Sequence, residues 1–296
     1  MFPRRRRFTT TADRSIEIAA WEWGGDGPIA LLHHANGMCA ATWSLVAEPL
    51  ARWYRVVAID ARGHGDSTSP ATPDGLPMRG FVDDLVAVAR ALLEETGGTR
   101  IEYGVGSSFG GIVTAMAEAA HPGLFGRVAM LDPPIHPDAA LRARLDPSGG
   151  IVDPRPMIAA QARKRTAVWP SRETARAAWR TKPMFAAWDV RAFDLYLAEG
   201  FRDRPDGGVE LKCRPDVEAT IFATSGDLDI YAVAPHVRTP VLLVRAGRGA
   251  LPAQAFSYLA RLLPDCTLLE PDVGHLMPLE APDLTLRLLT EFARSA

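Results

Sequence analysis

The segment RIEYGVGSSFGGIVTAMAEAA, residues 100–120, decides the reading of this 296-residue chain. An apolar run ending near Val105 meets a glycine-rich turn, and a stretch of helical period follows. Gly106-Ser107-Ser108-Phe109-Gly110 matches the pattern G-x-S-x-G with Ser108 at its centre and Ser107 at the unspecified position. The pattern has a steric cause. A serine held on a strained strand-to-helix turn needs neighbours without a Cβ, so that the turn closes and the hydroxyl projects into a cleft. Glycines at 106, 110 and 111 meet that need.

Outward from this unit, short runs rich in Val, Ile and Leu alternate with longer amphipathic segments. That alternation predicts a largely parallel sheet covered on both faces. Strands are expected near 16–22, 29–33, 55–59, 100–105, 127–131, 240–245 and 266–270, with helices over 79–96, 111–120, 254–263 and 281–294. In the first helix Phe81, Leu85, Val88, Ala89 and Leu92 share one face. A turn around Asp13 and Arg14 would join the first two strands into an antiparallel edge. Residues 135–235 break the rhythm. They show no buried strand and many Arg, Ala and aromatic residues at helical spacing, so they are expected to form a helical insertion. Pro133 and Pro134 mark its start, and Pro235 with Pro240 its end. The expected division is a core of 1–134 and 236–296 carrying a cap of 135–235.

With 47% hydrophobic and 23% charged residues and a formal net charge of -2, the composition gives no general field for nucleic acid or membrane. The partner to expect is a small-molecule substrate. Cys39, Cys213 and Cys266 lack C-x-x-C spacing, which argues against a metal site or disulfide framework and fits a reducing cytosol. Arg4 to Arg7 form a basic run with no apolar secretory segment after it, and the run reads as a solvated lead-in.

Together with the serine turn, LLHHANG at 31–37, DARGHGDS at 60–67 and GHLMPLEAP at 274–282 resemble the α/β-hydrolase superfamily in order and spacing. The resemblance covers nearly all of the chain except the insertion. It implies an eight-stranded, mostly parallel sheet flanked by helices, a lid inserted after the sixth strand, and neither metal nor organic cofactor. Ser108 would be the nucleophile. A serine hydroxyl is a poor nucleophile at neutral pH, and His275, just beyond the last strand in a loop eased by Gly274, is the expected base. Dehalogenases and epoxide hydrolases of the superfamily carry Asp where this chain has Ser108.

The family's usual acid slot, after the strand PVLLVRAG, holds Arg248-Gly249-Ala250-Leu251-Pro252 and no carboxylate. Some members place the acid one core strand earlier. Here that strand, RVAMLDPP, ends in Asp132, the expected partner of the His275 Nδ1 hydrogen. Glu270, Asp272, Asp227 and Asp229 are weaker alternatives. The oxyanion donors implied are the backbone N–H of Phe109 and that of Asn36, where Ala35 replaces the usual glycine, and the Asn36 amide is a further candidate for contacting substrate. His33 and His34 are adjacent strand residues facing opposite sides, a poor metal pair. Asp60, Arg62, His64 and Asp66 read as a loop-bracing turn. Of the insertion's aromatics, Trp169, Trp179, Trp188, Phe185, Phe193, Tyr196 and Phe201, one or two are expected to line a substrate pocket. Arg163, Lys164 and Arg165 read as a solvated face rather than a carboxylate site.

The expected activity is that of an esterase-like serine hydrolase acting on a small or medium, mostly apolar ester, lactone or thioester. A small-molecule receptor or pseudoenzyme, and an acyltransferase or perhydrolase, are the alternatives.

Overall fold

A computed structural model of the chain describes residues 3–72 and 76–294. The first half contains strands β1 (Arg4–Thr9), β2 (Glu17–Trp23), β3 (Ile29–His33), β4 (Arg55–Ile59), β5 (Tyr103–Ser107) and β6 (Val128–Leu131), with helices α1 (Ser44–Leu50), α2 (Met78–Thr96) and α3 (Phe109–Ala120). After a long connection come β10 (Val241–Val244), α11 (Ala253–Leu262), β11 (Cys266–Leu269), α12 (Met277–Glu280) and α13 (Pro282–Arg294). The connection itself holds α4 (Ala139–Leu145), α5 (Arg155–Arg163), β7 (Val168–Trp169), α6 (Arg172–Arg180), α7 (Pro183–Ala186), α8 (Val190–Glu199), β8 (Phe201–Asp203), β9 (Val209–Leu211), α9 (Pro215–Thr224) and α10 (Ile230–Val233).

Eight strands make one sheet in the order β1-β2-β4-β3-β5-β6-β10-β11, with β2 antiparallel to both neighbours and every other pair parallel. The central strands read as unbroken apolar runs because each face of the sheet is covered. In β10, Val241 and Leu243 join the core that contains α2, α3 and α11, whereas Leu242 and Val244 join the core that contains α1 and α13. Phe81, Leu85, Val88, Ala89 and Leu92 are all buried in the first of these cores.

Two expectations fail. Arg4 to Arg7 are not a lead-in but most of the edge strand β1, in which Arg4, Arg5 and Arg7 are solvent-exposed as expected and Arg6 is half-buried. Arg6 pairs with Glu22 at 2.8 Å and also with Glu95, and the Arg5 guanidinium lies 3.3 Å above the Trp21 ring. Arg5 and Arg6 thus have partners that a count of like charges does not reveal. Arg14, at φ 58, sits in the expected edge turn. The 135–235 segment is also not wholly helical, because β7, β9 and β8 form a small antiparallel sheet. Strands of two and three residues are too short to display a period of two. The terminal residues 1–2 and 295–296 of the expected core lie outside the described residues. Among the described residues no helix is long and apolar enough to cross a membrane.

The central turn is packed to contact. A Cβ added at Gly106 would lie 2.2 Å from the Gly110 carbonyl carbon and oxygen, and one at Gly110 would lie 2.3 Å from the His33 oxygen. Backbone cannot retreat as a flexible side chain does, so glycine at 106 lets β5 approach α3 and glycine at 110 lets α3 approach β3. Gly106→Ala is therefore expected to cost about 3 kcal/mol or more, read as a lower urea midpoint. A midpoint equal to that of the parent would mean the turn has slack.

Candidate active site

Ser108 precedes α3 with φ 52 and ψ -121, a backbone conformation that L residues adopt only under constraint. Its N–H donates to the Leu131 carbonyl at 2.8 Å, and its own carbonyl accepts from Gly111 N–H at 2.9 Å. The hydroxyl lines a cavity of about 500 Å³ together with His275, Asn36 and Phe109. Ser107, the last residue of β5, does not line this cavity. Its Oγ is buried beside His34, Met38 and Trp43 and has no hydrogen-bond partner among the described residues.

His275 Nε2 stands 2.9 Å from Ser108 Oγ, and its Nδ1 stands 2.6 Å from Asp132 Oδ2. Nδ1 beside a carboxylate carries the hydrogen, which leaves Nε2 able to accept from the serine hydroxyl. Asp132 is fully buried and also has a positive φ of 47. Its N–H donates to Val244 O at 2.7 Å, and its Oδ1 accepts from Ala246 N–H at 2.9 Å, so the carboxylate is fixed to the end of β10. The loop that carries His275 is held from below. Leu276 N–H donates to Glu280 Oε1 at 3.1 Å, and a Cβ at Gly274 would meet the same carboxylate at 2.1 Å. None of the alternative acids bonds to His275: Glu270 pairs with Arg245, Asp272 with Arg248, and Asp229 caps α10, while Asp227 lies in a short helical turn.

The Phe109 N–H is the first of α3 and has no intrahelical acceptor. Opposite it runs the loop after β3, whose left-handed residue is Gly37 at φ 78, so Ala35 needs no special conformation. Three neutral imidazoles support this loop. His64 Nδ1 bonds to Arg62 O, and its Nε2 accepts from Gly37 N–H at 3.0 Å. His34 Nδ1 bonds to Ala35 O, and its Nε2 accepts from Ala61 N–H at 2.9 Å. His33 Nδ1 bonds to His34 O. Asp60 accepts from Ala40 and Asp66 N–H, while Arg62 pairs with buried Asp84. Among the described residues no group of three His, Cys, Asp or Glu side chains is arranged to hold a metal ion.

The Asn36 side-chain amide donates one of its two hydrogens to Glu218 O at 2.9 Å, and Asn36 lines the cavity. The expectation for the aromatic residues of the insertion fails. None of the seven named aromatics lines the cavity. Trp179 stacks on Phe185 at 4.7 Å and packs with Tyr196 and Phe201, and these rings join the core cluster that contains α1 and α13, which packs the connection onto the sheet. Helical aromatic stripes pack first against one another when several meet. Arg165 is likewise not solvated, since it pairs with Glu218 and bonds to the Tyr196 hydroxyl, whereas Arg163 and Lys164 are exposed. The cavity wall is built instead from Ile151, Ile158, Ile221, Phe222 and Leu251, with Arg142, Asp153, Arg155 and His136 as its polar part. The sequence has no local mark that separates these arginines from the many others in the segment.

A doubly covered parallel sheet with a serine on the β5–α3 turn and a histidine beyond the last strand defines an α/β hydrolase. The chain belongs to the alpha/beta hydrolase family, whose family model matches residues 30–288. It is similar to 2-(acetamidomethylene)succinate hydrolase of Mesorhizobium japonicum, 25% identical over 288 residues, or 90% of this chain and 88% of that one. It is also similar to N-formylmaleamate deformylase of Pseudomonas putida, 26% identical over 275 residues, covering 86% and 85% of the two chains. A crystal structure of E-2-(acetamidomethylene)succinate hydrolase superposes with a TM-score of 0.78 at 22% identity, over 98% of each chain.

The buried imidazoles fix a pH dependence. Burial lowers His33, His64 and His136 to about 4 and His34 well below the usual value, so between about 4 and 6.5 these rings bind protons only when unfolded. Stability must then rise with pH across that window. Burial acts oppositely on Asp60, raised to about 6, and on Glu118, but four imidazoles outweigh two carboxyls. Urea midpoints measured at pH 5, 6 and 7 are expected to increase, with a shallower increase in His64→Gln. A flat profile would contradict the neutral-acceptor roles of His34 and His64.

Proposed function

We propose that the chain is a serine hydrolase that cleaves a carboxylic ester, lactone or thioester of small or medium, mostly apolar character through an acyl-enzyme. The observation that carries this reading is the continuous relay from Ser108 Oγ through His275 to Asp132, at 2.9 and 2.6 Å. Ser108 attacks the carbonyl carbon while its proton passes to His275 Nε2. Charge developing on the carbonyl oxygen is met by the N–H groups of Phe109 and Asn36, aided by the positive end of α3. Collapse of the tetrahedral intermediate breaks the bond to the leaving group, which takes the proton from His275. Water then attacks the acyl-enzyme by the same route, with His275 again the base. Asp132 holds the imidazole in one tautomer and stabilises the imidazolium. In this reading residues 135–235 act as a cap over a core of 1–134 and 236–296, and the molecule is active without a cofactor.

The names of the two full-length relatives specify an acetamido and a formamide-type substrate, which favours extending the scissile bond to an activated amide. The relay serves both, since an amide requires only that His275 protonate nitrogen instead of oxygen. Acyl transfer to another nucleophile uses the same acyl-enzyme and is read from product ratios in the presence of added alcohol or peroxide.

Two predictions test the assignment. A fluorophosphonate probe is expected to label the wild type on the peptide containing Ser108, and Ser108→Ala is expected to lose both labelling and ester turnover. Asp132→Asn is expected to lower kcat by roughly 10⁴-fold. Retained turnover in Ser108→Ala, or a loss below about threefold in Asp132→Asn, would move the roles elsewhere.

A third prediction relocates the acid. A Cβ built on Gly249 lies 3.1 Å from Asp132 Oδ2, so a side chain there is aimed at the oxygen that faces His275. Asp132→Ala combined with Gly249→Asp is expected to recover at least about tenfold in kcat over Asp132→Ala alone, roughly 1.4 kcal/mol of the lost orientation. No recovery, in a variant that melts like the parent, would show that the β10 end cannot present a carboxylate.

A further inference from the structure

The polar side of the cavity wall carries guanidinium donors that its own acceptors do not take up. Arg142, at the last turn of α4, and Arg155, at the first position of α5, both line the cavity, and their side chains are about a fifth exposed, 21% and 22%. A single carboxylate lies between them. Asp153 holds Arg155 in a two-pronged pair, with Nε–Oδ1 at 2.9 Å and Nη2–Oδ2 at 2.7 Å, and stands 3.9 Å from Arg142 Nη1. Arg142 Nη1 also donates to Pro137 O at 2.7 Å.

Among the described residues this leaves Nη1 of Arg155, and Nε and Nη2 of Arg142, without hydrogen bonds. His136 completes the wall, and burial keeps its ring neutral near pH 7. Asp227 also acts on Arg155, so the incompletely neutralised group is Arg142, whose pair with the shared Asp153 is at 3.9 Å, in a cavity whose other walls are mostly aliphatic and aromatic. A charge so placed is weakly screened, and guanidinium is the cation best matched to a planar carboxylate. Gly226 makes room for this arrangement, since a Cβ there would fall 1.5 Å from Arg155 Nη1.

We propose that Arg142 and Arg155 form an anion subsite, and that the preferred substrate carries a free carboxylate in addition to the acyl group attacked at Ser108. The carboxylate completes the unused guanidinium donors while the aliphatic wall takes the intervening carbons. This deepens the serine-hydrolase reading and rests on it for the position of the scissile bond, but the subsite itself is independent of the chemistry.

The test is a charge series at the wall: Asp153→Asn, wild type, Arg142→Gln, and Arg142→Gln with Arg155→Gln. For each, kcat/KM is measured on two matched pairs. Mono-para-nitrophenyl glutarate against para-nitrophenyl butyrate puts the carboxylate on the acyl side, and para-acetoxybenzoate against phenyl acetate puts it on the leaving group. In one pair the anionic-to-neutral ratio is expected to rise several-fold in Asp153→Asn and to fall about tenfold for each arginine removed. The preference is also expected to shrink in high salt. Gly226→Ala, which alters no charge but displaces the Arg155 guanidinium, should lower the same ratio.

Ratios constant within about twofold along the series in both pairs would overturn the proposal and leave the wall a structural ion-pair cluster. Calorimetric binding of phenylbutyrate and phenylbutanol to Ser108→Ala, with and without the wall substitutions, separates the two readings. Carboxylate-selective binding that follows the wall charge supports the subsite even if Ser108 proves not to be the nucleophile, and equal binding of acid and alcohol throughout rejects it.

Discussion

Everything at the candidate site hangs from the contact between the Gly106 and Gly110 backbones. That contact folds β5 back onto α3 within two residues and forces Ser108 into its positive φ. The same turn leaves the Phe109 N–H unbonded at the positive end of a twelve-residue helix. From there the ladder of strand-end hydrogen bonds carries the geometry across the sheet. Ser108 N–H bonds to Leu131 O, Asp132 N–H to Val244 O, and Ala246 N–H to the Asp132 carboxylate. The serine and the acid are therefore set by one register, that of β5, β6 and β10, and the histidine is fitted to both from the following loop.

That register brings a carboxylate from β6 to the end of β10. Asp132 leaves β6 with a left-handed backbone and turns its side chain sideways to the end of β10, where an amide and the His275 ring take its two oxygens. Gly249, in the stretch that usually supplies the acid, passes close to that carboxylate and has no side chain to crowd it. The two positions serve one point in space, so only one of them can be filled.

Much of this was legible because it is local. The strand-turn-helix of residues 100–120, the apolar face of α2 and the alternation of core strands depend on neighbours in sequence, and they folded as expected, with ends moved by at most three residues. Ser108, His275 and Asp132 were legible because motif and strand order bring them to one sheet edge, where they lie within hydrogen-bond distance. What sequence did not disclose depends on contacts across long separations. The partners of Arg6 lie in β2 and α2, the aromatic rings of the connection stack on one another as well as on the core, and the Asn36 amide bonds to Glu218, 182 residues away. Arg142 and Arg155 acquire meaning only from the cavity they border. The short strands β7, β8 and β9 hold too few residues to carry a period.

The loop after β3 is tied to the β6–β10 connection at several points. Tyr196 Oη donates to Gly37 O at 2.8 Å, the Asn36 amide bonds to Glu218 O, and Arg165 joins Glu218 to the Tyr196 hydroxyl. The segment that frames the cavity is thus also scaffolding for a loop in the core, and the two are not interchangeable modules. Grafting this connection onto another family member, or replacing it with a foreign one, would transfer only half of a joint unless residues 34–37 and the Tyr196–Glu218–Arg165 group travelled with it.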